Sequence, residues 1–83
     1  MADRFQIIGK YEALKKELHG KLINANALRT KFSELTDPLF VDFEDMDFKT
    51  ITELADQMKD LQAEMAELTG KIDQMASVYN IED

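Results

Sequence analysis

Eighty-three residues, with 45% hydrophobic and 33% charged side chains, describe one small folded domain over residues 1–83 rather than a disordered chain. The absence of cysteine excludes disulfides and thiolate metal sites, and a formal net charge of −7 argues against direct contact with DNA or RNA, which needs a concentrated basic surface. A domain of this size rarely draws more than ~3–5 kcal/mol from its own core, and no disulfide or thiolate metal site can compensate.

The charge is unevenly spread. Residues 1–36 hold seven Lys and Arg against four acids, residues 37–50 hold five acids against Lys49, and residues 51–83 hold eight acids against Lys59 and Lys71. A basic first part and an acidic second part attract each other. The longest unbroken apolar run, Leu39 to Val41, is far too short to span a bilayer, and no signal peptide or lipidation motif is visible. A cytoplasmic protein with no membrane partner is the expectation.

The first element is a helix predicted over about residues 3–36, with Asp3 as N-cap and Gln6 in capping-box register. Its seam has two columns with heptad spacing: Tyr11, Leu18, Ala25, Phe32, and Ile7, Leu14, Lys21, Leu28, Leu35. Lys21 is the one clear break, where a long stem can cover the seam while its ammonium reaches water. Ile8 and Leu22 lie one step further round the helix, and Ile23 points almost directly away. An apolar stripe this wide exceeds what a two-stranded seam needs, so Ile8, Leu22 and Ile23 are the candidate residues for self-association. Ala13, Gly20, Ala27 and Ala63, Gly70, Ser77 form columns of small residues on the outer faces.

The helix must stop at Thr36-Asp37-Pro38, because proline lacks an amide hydrogen and disfavours helical backbone in the residue before it. A connection over about residues 37–46 follows, rich in both aromatics and acids: Leu39-Phe40-Val41-Asp42-Phe43-Glu44-Asp45-Met46. Alternation sends Phe43 and Val41 to one side and Phe40 to the other. Phe40 and Phe48, nearest the helix ends, are expected to plug the end of the hairpin. Phe43 and Val41, with Asp42, Glu44 and Asp45 as an acidic rim, are the candidate partner-binding residues for a basic protein.

The second helix is predicted over about residues 47–80. It starts either at Asp47, with Met46 and Ile51 as a hydrophobic staple, or at Thr50, whose Thr50-Ile51-Thr52-Glu53 matches a capping box. Its columns, Ile51, Met58, Met65, Ile72, Tyr79 and Leu54, Leu61, Leu68, Met75, are unbroken over four heptads. Pairing residues whose numbers sum to 86 sets Leu35 on Ile51, Leu28 on Met58, Leu18 on Leu68, Tyr11 on Met75 and Ile7 on Tyr79. Lys21 then falls on Met65, Arg4 on Glu82, and Glu17 lies opposite Lys71 on a flank. The fold predicted is therefore all-α: an antiparallel, coiled-coil-like two-helix hairpin that dimerises into a four-helix bundle.

Catalytic chemistry finds no support in the residues. His19 is the only histidine, and three residues before it stands Lys16 rather than the Glu of a carboxylate-bridged metal site. Asp42 to Glu53 has acids where a calcium-binding loop begins and ends, but Met46 and Asp47 occupy positions that need an oxygen ligand and a glycine. No phosphate loop or nucleophile elbow is present. No enzyme activity, cofactor or metal is expected.

In shape the predicted hairpin is similar to small secreted virulence proteins with Trp-x-Gly in the central turn, although this chain has no tryptophan. It is also similar to prefoldin-type chaperones, which place β segments between their helices; only a weak alternation at Phe40 to Phe43 corresponds here. The functional expectation is a non-enzymatic interaction module: an adaptor, small chaperone or assembly component. The alternative is a regulator acting on a nucleic-acid-binding partner or transcription complex.

Overall fold

The computed structural model describes residues 3–81. Two helices account for most of them: α1, Arg4–Thr36, and α2, Phe48–Tyr79. Between them lies one 3₁₀ turn, Phe43–Asp45, and there is no strand among the described residues. The chain is all-α, a rod of 62 × 17 × 15 Å. Its radius of gyration is 18.1 Å, against about 12 Å for a globular chain of this length.

The helix ends follow from local chemistry. The Asp3 carboxylate accepts from the Phe5 amide at 3.1 Å and caps α1. At the other end Pro38 holds Asp37 extended, at φ −79° and ψ 124°. Asp47 begins α2: its Oδ1 accepts from the Thr50 amide at 3.1 Å and its Oδ2 from the Thr50 hydroxyl at 2.6 Å. Of the two predicted starts, the chain uses Asp47, and Thr50 becomes the residue that completes the cap. Asn80 closes α2 in the left-handed conformation, φ 53°. The Ile81 and Asn80 amides both donate to the Ala76 carbonyl, the first making the 6→1 bond of a Schellman motif and the second the 5→1 bond of an αL cap.

The helices pack along the predicted seam, antiparallel, since partners rise in number on α1 as they fall on α2. Lys15 shares a hollow with Asp73, Leu22 with Met65, and Arg29 with Met58. The pairing of Arg4 with Glu82 lies outside the described residues. The core is Tyr11, Ile51, Leu54, Leu61, Leu68 and Ile72, five of the six from α2. Its asymmetry follows from the sequence: α2 presents two unbroken apolar columns, whereas those of α1 are thinned by Lys21 and Ala25. Within α2 the burial is also unequal. Leu54, Leu61 and Leu68 are 4–7% exposed, while Met58 and Met65 in the neighbouring column remain only half-buried. Tyr79, at the open end of that column, is 41% exposed.

Candidate interaction surfaces

The hairpin has two unlike flanks. On one, Glu17, Lys21, Glu64, Glu67, Leu68 and Lys71 come together. Lys21 Nζ lies 3.1 Å from Glu64 Oε2, so the break in the α1 seam is bridged to the other helix rather than left over Met65. Lys71 pairs with Glu67 of its own helix at 3.6 Å, not with Glu17, which only borders the same hollow. The i,i+4 spacing brings Glu67 within reach without requiring the longer span between helices.

The other flank is open and apolar. Two adjoining hollows of about 450 and 470 Å³ share Leu22, Met65 and Thr69 and form one groove. Leu18, Ala25, Met58, Ala66 and Ile72 also line it. At its edges stand Lys15, His19 and Arg29 on α1 and Asp73 on α2. The Lys15 ammonium sits 5.2 Å from the centre of the Tyr11 ring.

The predicted self-association residues divide. Leu22 lines the groove and is 44% exposed; Ile23, 59% exposed, stands outside it; Ile8 is half-buried. The α2 wall of the groove was not foreseen. The available signal was the pair Met58 and Met65 in an otherwise Ile and Tyr column, because methionine suits adaptable contact surfaces.

The tip is a bonded turn, not a strand. Asp37 Oδ1 accepts from the Leu39 amide at 2.8 Å, and the Asp37 carbonyl accepts from Phe40 and Val41 at 3.0 and 3.1 Å. The Asp45 and Met46 amides then donate to Asp42 and Phe43 carbonyls. Alternation is therefore absent. Phe43 is 77% exposed, with Asp42, Glu44 and Asp45 exposed around it, while Val41 is half-buried. Phe40, expected as a plug, is 73% exposed, and Phe48 is 54% exposed. Two helices side by side leave only a narrow seam end, where Val41 and Met46 take the half-buried places. Phe48 instead meets Phe43 edge-to-face, centroids 6.1 Å apart at 70°. Leu39, 88% exposed, is the most exposed large apolar side chain of the described residues and was not singled out from sequence.

Hydrogen bonds from the Thr50 hydroxyl, and then from its amide, hold the Asp47 carboxyl below the ordinary value of 3.8. Asp42 to Glu53 thus serves as a 3₁₀ turn and a helix cap. Among the described residues no three His, Asp or Glu side chains form a group able to hold a metal ion, and no helix is long and apolar enough to cross a membrane. The chain matches no protein-family model, no curated protein and no solved structure.

Proposed function

We propose that this chain is a non-enzymatic protein–protein interaction module, an adaptor, small chaperone or assembly component, that self-associates through its helices and offers its tip to a basic protein. Surface area carries this reading. A folded 9.5 kDa chain is expected to expose about 5,000 Å². This one exposes 6631 Å². The excess, roughly 1,600 Å², is of the size that one partner contributes to a large, obligate interface. Folding of one copy hides only about half the surface of the extended chain, less than the ~60% typical of even a 60-residue domain.

At the tip, Leu39, Phe40, Phe43 and Phe48 supply apolar anchors, and Asp42, Glu44, Asp45 and Asp47 supply the acidic surround that favours a basic partner. The same chemistry supports the second reading, a regulator that engages the basic surface of a nucleic-acid-binding protein. Light scattering at micromolar concentration tests self-association: twice the 9.5 kDa chain mass is expected, with a melting temperature that rises with concentration. A chain-mass particle with a concentration-independent melt refutes it. Competition of a nucleic acid with this chain for a captured partner would select the regulator reading.

A further inference from the structure

We infer that the open groove between α1 and α2 is closed by the groove of a second copy, with the two-fold axis along the rod, so that α1 of each copy lies against α2 of the other. This rests on the self-association proposed above and specifies the face and the orientation.

The face is chosen by what each flank leaves unsatisfied. On the charged flank Lys21 and Lys71 already have carboxylate partners, at 3.1 and 3.6 Å. On the groove flank Met58 and Met65 are half-buried seam residues with no further cover, and Leu22 is 44% exposed beside them. The outer columns, Ala13, Gly20, Ala27 and Ala63, Gly70, Ser77, hold only small side chains and offer no comparable apolar wall. Seating a second groove on the first covers the methionines and Leu22 together.

Charge selects the orientation. α1 carries seven Lys and Arg against three acids; α2 carries six acids against three lysines. A two-fold axis across the rod sets α1 on α1 and α2 on α2, facing Lys15 and Arg29 with their own kind at the groove edge. A two-fold axis along the rod alternates basic and acidic helices around the bundle and brings Lys15 and His19 of one copy over the Asp73 edge of the other. Both tips then lie at one end, presenting two sets of exposed Leu39, Phe40 and Phe43 side chains to the same side. The acids at the tips stay in water, where a Debye length of about 8 Å screens them.

The chain has no cysteine, so one introduced thiol carries a label cleanly. With Glu44→Cys spin-labelled, the axis along the rod gives a separation under about 30 Å, the bundle width plus two label arms. The axis across the rod gives roughly 50 Å, from the rise of α1 between the groove and the tip. A long distance in a particle of dimer mass overturns the orientation and leaves self-association standing. The face is read separately. Ala66→Lys and Leu22→Lys should raise the dissociation constant about tenfold or more with helicity unchanged, and Ile23→Lys should leave it alone. The reverse pattern, with Ile23→Lys disruptive and Ala66→Lys silent, overturns the groove as the interface. A chain-mass particle defeats the self-association reading itself.

Discussion

Lys21 and Glu64 clasp the two helices across one flank, Nζ to Oε2 at 3.1 Å, at the position where a lysine interrupts an apolar column of α1. The contact lies in partial solvent, with the lysine side chain 29% and the glutamate 57% exposed. Such pairs contribute about 0.2–1 kcal/mol. Lys21→Met gives up that pair and places an apolar side chain in the seam, where full burial is worth ~1.5–3 kcal/mol. The variant should melt higher, by a net gain of about 1 kcal/mol. Glu64→Gln should change the melt by no more than the pair itself. Thermal denaturation of the two variants and their combination isolates the coupling.

Leu61 lies at the centre of the buried α2 column, 7% exposed. Leu61→Ala should cost about 2–5 kcal/mol, measured by urea denaturation. Met58→Ala, at a half-buried position of the neighbouring column, should cost less than Leu61→Ala. Equal losses would mean that the two positions are equally buried.

Asp47 gives the second helix a pH dependence. Thr50 lowers the carboxyl below 3.8, so folding favours the ionised form. That contribution is complete above the unfolded value and disappears as pH falls through the depressed folded value. Asp47→Asn keeps a capping oxygen but removes the titration, so its melting temperature should fall less steeply than the parent's as pH drops from about 5 to 2. Asp47→Ala should melt lower than the parent at neutral pH, since both bonds to Thr50 are lost.

Exposure at the tip separates binding from stability. Phe40→Ser should leave the melt of the dilute chain within about 0.5 kcal/mol, as surface substitutions do, and Phe43→Ser should lose no more than its contact with Phe48. Phe48→Ser should differ from Phe43→Ser by little, since they share one edge-to-face contact, worth about 0.5–1.5 kcal/mol. Capture of a basic partner should fall with Phe43→Ser. Unfolding by Phe40→Ser in the dilute chain would show that the ring is part of the core.

Gly20→Ala and Gly70→Ala probe the outer faces. Neither added methyl group meets an atom within 4 Å, so each should stabilise its helix by about 1 kcal/mol. A loss of stability, appearing only at concentrations where the chain associates, would place a neighbouring helix on that face.

Periodicity determined most of this molecule. Two seams with heptad spacing and a single proline dictate two long helices, their antiparallel pairing and the break after Thr36, because buried spacing and backbone sterics act locally. Capping followed the same logic: Asp3 and Asp47 are acceptors at the right distance from free amides. Sequence also marked Leu22 as surplus to a two-stranded seam. What it left open depended on how α1 rolls over α2, a quantity that no single column records. The tertiary structure decided that Leu54, Leu61 and Leu68 sink while Met58 and Met65 stay at a groove edge. It decided that Lys21 reaches Glu64, and that Lys71 turns back to Glu67. At the tip, alternation suggested an inside and an outside, but hydrogen bonds to Asp37 and the 3₁₀ turn curl the backbone away from a strand. Phe40 faces water because two packed helices, unlike four, have no end wide enough to hold it.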